Sequence, residues 1–221
     1  MGRKGPEQFA DNVVADLPVR TEEERHRLYE AFATVPRSYF IDSAFIAQAY
    51  DDNSIPIGYG QTISKPSTIA LMLAHLALEP GEKVLEIGAG SGYVTALLAQ
   101  LGVRVCAIER IGALAQRARR RLDRLGFSQV LLRAGDGTRG WPSEAPFDAI
   151  VISAAFSTIP ESLFAQVSEY GRIMAPLTSG SDIDDQRLVL WRRTGNQPGN
   201  TEPSELYDLG PCKFVMGTSN T

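Results

Sequence analysis

The apolar positions of this 221-residue chain change period several times, and each change marks an element. Residues 1–20 show no period and carry Gly5, Pro6 and Pro18, which predicts a loose start lying over the surface. Thr21 followed by Glu22, Glu23 and Glu24 is a capping box with an acidic first turn. Leu28, Ala31, Phe32 and Val35 predict the buried face of a helix that stops before Pro36, with His26 on its charged side. A short helical stretch then runs to Tyr50. The segment Ile55-Pro-Ile-Gly-Tyr-Gly-Gln-Thr-Ile-Ser-Lys-Pro66 fits neither a helix nor an ordinary strand. Its prolines and glycines predict a shaped loop of the functional kind. Helical spacing returns from Ser67 to Leu78, with His75 as a packed residue inside it.

From residue 83 strand and helix patterns alternate. Val84-Leu-Glu-Ile87 predicts a buried parallel strand, and Gly88, Gly90 and Gly92 turn it into a helix marked by Val94, Leu97, Leu98 and Leu101. Val103–Ile108 predicts a second strand ending at Glu109. Ala113–Leu125 is a basic helix whose run Arg117, Arg119, Arg120, Arg121 and Arg124 reads as a solvated face. Gln129–Arg133, Pro146–Ser153 and Arg172–Leu177 predict further strands, with a helix over Glu161–Val167. Polar loops at 178–186 and 195–205 flank a strand at Arg187–Arg193, and a last strand spans Gly210–Met216. The alternation over 83–177 predicts an α/β fold with a doubly wound, mostly parallel sheet. An N-terminal helical segment and C-terminal antiparallel strands complete one domain. Its parts are helices and loop at 1–80, a core at 81–177 and strands at 178–221.

Three glycines at a strand-to-helix turn let the backbone bend sharply and let a ligand approach, while the amides opening the next helix are free to donate. A dinucleotide site would need G-x-G-x-x-G, and Tyr93 stands where the third glycine belongs. A P-loop is excluded because no Gly-Lys-Ser/Thr follows. The pattern E-x-G-x-G-x-G instead resembles the first motif of S-adenosylmethionine (SAM)-dependent methyltransferases of the Rossmann type, class I. Glu86 at the strand end suits a cationic sulfonium. Glu109, about 20 residues beyond the glycine loop, is placed to accept the ribose hydroxyls. Asp136, in the turn Gly135-Asp-Gly-Thr138, can accept from an adenine amine or simply make the turn. Ser153 falls at another strand end.

Composition narrows the partners. A net charge of −4 gives no support for a nucleic-acid surface. No apolar run has membrane-spanning length, and the first residues lack a signal-peptide core. Cys106 and Cys212 make no disulfide framework, and no histidine or cysteine has metal-ligand spacing. A cytoplasmic monomer with 43% hydrophobic residues and a sizeable core is the expectation.

Several motifs together resemble the protein-L-isoaspartate O-methyltransferases. They are Pro36-Arg-x-x-Phe40, Ile55-Pro-Ile-Gly-x-Gly-Gln-Thr-Ile-Ser64-x-Pro66, Val84 through Tyr93, Ile108-Glu-Arg110, Gly135-Asp-Gly-Thr-x-Gly-Trp141, Phe147-Asp-x-Ile150 and Phe214-Val215. Gly60-Gln-Thr-Ile-Ser64 is the specific part, since generic methyltransferases lack it. The resemblance implies methylation of the α-carboxylate of isoaspartyl residues in damaged proteins or peptides. The ester closes to a succinimide that reopens partly to aspartate, and S-adenosyl-L-homocysteine (SAH) is the co-product. It implies Ser64 as the active-site hydroxyl. For the cofactor it implies Thr62, Ile63, Glu86, Gly88, Ala89, Gly90, Ser91, Gly92, Tyr93, Glu109, Arg110, Asp136 and Gly137. Thr218 would match a position that closes over the site. Lys65 and Ser67 depart from the family's usual Gln or Ala and aromatic or His, so the chain's peptide preference is its own. The competing readings are a methyltransferase acting on one dedicated peptide, one acting on a small molecule or RNA, and a protein that binds SAM without transferring methyl.

Overall fold

The computed structural model describes residues 5–180, 182–194 and 205–217. Its helices are α1 (Pro6–Val14), α2 (Glu22–Thr34), α3 (Pro66–Leu76), α4 (Tyr93–Gln100), α5 (Gly112–Arg124) and α6 (Glu161–Phe164). A small hairpin, β1 (Ile55–Gly58) and β2 (Gln61–Ile63), stands apart from the main sheet. The main sheet holds β3 (Lys83–Ile87), β4 (Arg104–Glu109), β5 (Leu131–Ala134), β6 (Phe147–Ile152), β7 (Val167–Ser179), β8 (Asp182–Arg192) and β9 (Glu205–Cys212). They lie in the order β5-β4-β3-β6-β7-β8-β9. The first five are mutually parallel, and β8 runs antiparallel to both neighbours.

Alternation along the central strands builds two cores. Val84, Val105, Ala107, Ala149 and Val151 face the helices α1 to α5, while Leu85, Ile87, Cys106, Ile108, Ile150 and Ile152 face the cluster around α6. Reversal of strand order occurs between β3 and β4 on one side and β6 on the other. An open α/β sheet binds ligands at that crevice, beyond its carboxyl edge.

Five expectations need correction, the briefest being the last strand, which covers Glu205–Cys212 rather than Gly210–Met216. Residues 6–14 are not loose: as α1 they bury Phe9, Ala10 and Val14. Phe9 meets Phe32 and Tyr50 edge-on, with ring centroids 6.2 and 5.2 Å away. Pro6 is accommodated because it occupies the first turn, where its missing N–H costs nothing. Nine residues give too few turns for a visible period. The loop at 55–66 contains a true hairpin, with Ile55 opposite Ile63 and Pro56 opposite Thr62. Its period of two was present in the inward Ile55, Ile57 and Ile63, broken by the turn Gly58-Tyr59-Gly60, whose residues all have positive φ. Within the polar stretch 178–186, residues 178–179 close β7 and 182–186 open β8, so most of it is strand rather than loop. Its side chains are polar because the far ends of β7 and β8 project beyond the core. The helix expected to reach Val167 ends at Phe164, and Val167 opens β7.

One interaction caps α2 and another ties the helical segment to the sheet. Thr21 accepts the Glu24 amide at 3.1 Å, and Glu24 reaches back one residue further than a standard box, to the Arg20 amide at 2.9 Å. Arg172 grips Glu82 through both terminal nitrogens and also donates to the carbonyls of Leu76 and Ala77, tying the end of α3 to the sheet. Among the described residues no helix is long and apolar enough to cross a membrane, and no group of three or more His, Cys, Asp or Glu is placed to hold a metal.

Because Phe9 is buried against two rings, Phe9→Ala should lower unfolding free energy by about 3 kcal/mol. Urea unfolding measures this, and a change under about 0.5 kcal/mol would show that α1 packs only loosely.

Candidate active site

The glycine turn is held by its neighbours rather than left open. The amides of Gly88 and Ala89 donate to the Ile108 carbonyl at 2.8 and 3.2 Å, and the Gly92 amide donates to Ala89 at 2.8 Å. The Gly90 amide donates to Glu109 Oε2 at 2.7 Å. Glu109 Oε1 accepts the Ile111 amide at 2.8 Å, so one buried carboxylate ties the loop to the exit of β4. Four amides of the turn are therefore used internally. What the loop offers a ligand is room. Gly88, Gly90 and Gly92 have φ of 86, 55 and 89°, conformations that strain any side chain. A Cβ on Gly90 would stand 3.3 Å from Ile57 Cδ1, where the turn meets the hairpin. A Cβ on Gly92 would stand 3.1 Å from that of Ala118. Gly92 thus lets α4 approach α5, the packing task that the third glycine performs in a dinucleotide fold.

A cleft opens beyond this turn. Its floor includes Gly88, Gly90, Glu109, Asp136 and Gly137, and the exposed Arg110 stands at its edge. Asp136 Oδ1 accepts the Thr138 amide and hydroxyl at 2.9 and 2.7 Å, which shapes the turn around Gly137. A Cβ on Gly137 would fall 2.4 Å from Ile87 Cγ2, so only glycine lets that turn sit against β3. The opposite wall is the hairpin, which contributes Ile57, Gln61, Thr62 and Ser64. The third wall is the segment Phe214–Gly217. Gln186 holds it by accepting the Phe214 amide at 2.6 Å and donating to its carbonyl at 3.0 Å. Thr218 lies outside the described residues.

Other expected site residues stand behind the cleft. Ile63 is buried in the core under the hairpin. Ala89, Ser91 and Gly92 shape the turn without lining the cleft, and Tyr93 is buried against Phe32 and Phe40. Glu86 points away from the cleft, fully buried, where Thr95 Oγ1 donates to its Oε2 at 2.5 Å. Burial pushes its carboxyl up to about 7, the Thr95 hydrogen bond opposes this, and the Glu109 charge adds to it.

Two contributors escaped the sequence reading. Arg37 has no exposure and donates to the carbonyls of Ala49, Asp51, Asn53 and Ser64, at 2.9, 3.3, 2.7 and 3.2 Å. It fastens the Ser64 backbone to the preceding segment. The signal was the Pro36-Arg pair, but no local pattern indicates a buried guanidinium. Ser153, at the end of β6, lines the cleft, and its buried Oγ has no hydrogen-bond partner among the described residues. Its position at a strand end was visible and its role was not. Lys65 is exposed beside Ser64, while the Ser67 amide and hydroxyl both donate to Asp52, at 2.9 and 2.8 Å.

Residues 10–219 match the model of the family described as protein-L-isoaspartate(D-aspartate) O-methyltransferase. The chain belongs to this family. A protein-L-isoaspartate O-methyltransferase from Methylorubrum populi is 49% identical over 188 residues, covering 85% of this chain and 84% of the relative. One from Gloeobacter violaceus is 42% identical over 192 residues, covering 87% and 90%. A solved protein-L-isoaspartate O-methyltransferase superposes with a TM-score of 0.78 at 26% identity, over 96% of this chain and 66% of that one. A family member from Plasmodium falciparum, solved with SAH, shares the fold. Its TM-score is 0.78 at 22% identity, over 98% and 100% of the two chains.

In this isoaspartate methyltransferase the buried Glu86 yields a pH signature. Its folded pKa of about 7 exceeds the ordinary 4.5, so folding takes up a proton between those values. The contribution is fully present below about 4.5 and is lost as pH rises through 7. Against Glu86→Gln, the wild type should lose urea stability across that window and run parallel above about pH 8. Parallel curves throughout would show that Glu86 is not protonated in the fold.

Proposed function

We propose that the chain methylates the α-carboxylate of L-isoaspartyl residues in damaged proteins or peptides, using SAM and releasing SAH. The observation that carries this reading is one cleft with two unlike walls. A glycine turn with buried carboxylate lies on one side, and the Thr62–Ser64 hairpin on the other. The residues suit the cofactor. Each oxygen of Glu109 accepts one amide and keeps a lone pair for a ribose hydroxyl. The turn at Asp136 and Gly137 accommodates the adenine end, and the Ser153 hydroxyl, buried and unpaired among the described residues, can take a polar group of the ligand. SAM, when bound, supplies an electrophilic methyl group on a sulfonium.

The rest follows from the chain's own groups. An isoaspartyl carboxylate with an ordinary pKa near 4 is already ionised at neutral pH, so no general base is required. Catalysis then rests on orientation and on partial removal of water from the nucleophile. Ser64 donates the orienting hydrogen bond, Arg37 keeps the Ser64 backbone in place, and Ile57 and Phe214 supply apolar walls. The methyl ester that forms closes to a succinimide without further help. Action as a cytoplasmic monomer, without nucleic-acid or membrane partners, belongs to the same proposal. The free thiols of Cys106 and Cys212 and the net charge of −4 support it.

Methyl-labelled SAM offered with an isoaspartyl peptide and its aspartyl counterpart tests the reading. Label should enter only the isoaspartyl peptide, and Ser64→Ala should cut that turnover at least roughly tenfold with SAH affinity within about twofold. No label in either peptide, despite measurable SAH binding, would sink the proposal.

A further inference from the structure

The basic run on α5 is not the solvated face that its composition suggests. Arg119 donates to the carbonyls of Val130 and Phe127, at 2.6 and 2.9 Å. Arg121 Nη1 donates to the Ser91 carbonyl at 3.3 Å, and Arg117 Nη2 donates to the Ile57 carbonyl at 2.9 Å. Ser91 belongs to the glycine turn and Ile57 to the hairpin. Arg117 and Arg121 lie one helical turn apart, so neighbouring side chains of one helix hold a carbonyl from each half of the cleft. The halves touch at the same place, since Ile57 Cδ1 sits 3.3 Å from where a Gly90 Cβ would be.

The hairpin needs such fastening. It comprises two short strands outside the main sheet, and isolated two-stranded hairpins are marginal in water. Its tip strings together three left-handed residues, Gly58, Tyr59 and Gly60, at φ of 93, 57 and 70°. Tyr59 is 60% exposed, and the Arg117 guanidinium lies 5.4 Å from its ring centroid. Arg37 secures the far end through the Ser64 carbonyl, and Arg117 secures the near end.

We propose that Arg117 is a positioning residue for methyl transfer. By clamping the Ile57 carbonyl it sets the separation between the acceptor hairpin and the glycine turn. This rests on the reading of the hairpin as the acceptor side. Arg117 touches neither substrate nor cofactor in this account, and acts through Ile57 and the strand that leads to Ser64. A planar guanidinium can donate to a carbonyl and lie over a ring at once, which an ammonium does not reproduce.

Arg117→Ala and Arg117→Lys are compared with the wild type, with Arg124→Ala as a charge-matched control on an exposed position of the same helix. Amide exchange of residues 55–63 is read by mass spectrometry and SAH affinity by calorimetry. Turnover of the isoaspartyl peptide is scaled to the number of SAH-binding sites, so that misfolded protein does not count. In Arg117→Ala, exchange of the hairpin should rise about fivefold or more and kcat should fall roughly tenfold, with SAH Kd within about twofold. Arg117→Lys should lie between, and Arg124→Ala should match the wild type. Unchanged hairpin exchange, faster exchange with unchanged kcat, or an equal loss in Arg124→Ala would overturn the proposal. An inactive wild type would instead sink the functional reading, and the exchange measurement, which needs no turnover, would still decide whether the clamp exists.

Discussion

The carboxylate of Glu109 is the interaction on which the site depends. It is 6% exposed, and it accepts the Gly90 amide with one oxygen and the Ile111 amide with the other. Charge-assisted bonds to backbone N–H groups compensate a buried anion and fix the groups that make them. Glu109 thereby joins the glycine turn after β3 to the exit of β4, the two loops that form the crevice where strand order reverses. Everything on the cofactor side of the cleft is registered to that joint. The turn can be so tight only because its three left-handed positions are glycine.

The hairpin wall, proposed above as the acceptor side, is built by a different principle. The glycine turn grows out of a buried sheet, whereas the hairpin bearing Thr62 and Ser64 is a small separate ribbon. Three inward isoleucines, Ile55, Ile57 and Ile63, seat it on the core, and guanidinium groups grip backbone carbonyls at its two ends, Arg37 at Ser64 and Arg117 at Ile57. The third wall is held in the same manner, by Gln186 grasping both backbone polar groups of Phe214. Side-chain clamps on backbone atoms fix position whatever the clamped side chains are, which leaves residues beside the hairpin such as Lys65 open to change. A rigid donor half and a clamped acceptor half suit a reaction whose nucleophile arrives already ionised.

Much of this was legible in the sequence, because the parallel core announces itself. Continuous apolar runs, glycines at alternate positions and carboxylates at strand ends mark β3, β4 and the cleft floor without help from tertiary structure. The hairpin motif at Gly60–Ser64 was equally visible as chemistry, though its strands were hidden behind a proline and a left-handed turn. The failures have a common cause. Glu86 looked like a strand-end ligand, but the strand's alternation turns it toward α4, where Thr95 meets it. Arg117 and Arg121 read as a solvated face and Arg37 as one position of a motif, since a local pattern does not record which distant carbonyl a long side chain will reach. Helix α1 was too short to show a period and owes its order to aromatic contacts with Phe32 and Tyr50.

The central claim is that one cleft holds methyl donor and isoaspartyl acceptor on its two unlike walls. Crystals grown with SAH and an isoaspartyl peptide address it most directly. The account predicts the ribose hydroxyls within hydrogen-bond distance of Glu109 and the peptide's free α-carboxylate within hydrogen-bond distance of Ser64 Oγ, on the sulfur side of SAH. A peptide carboxylate seated elsewhere, with Ser64 facing solvent, would contradict it.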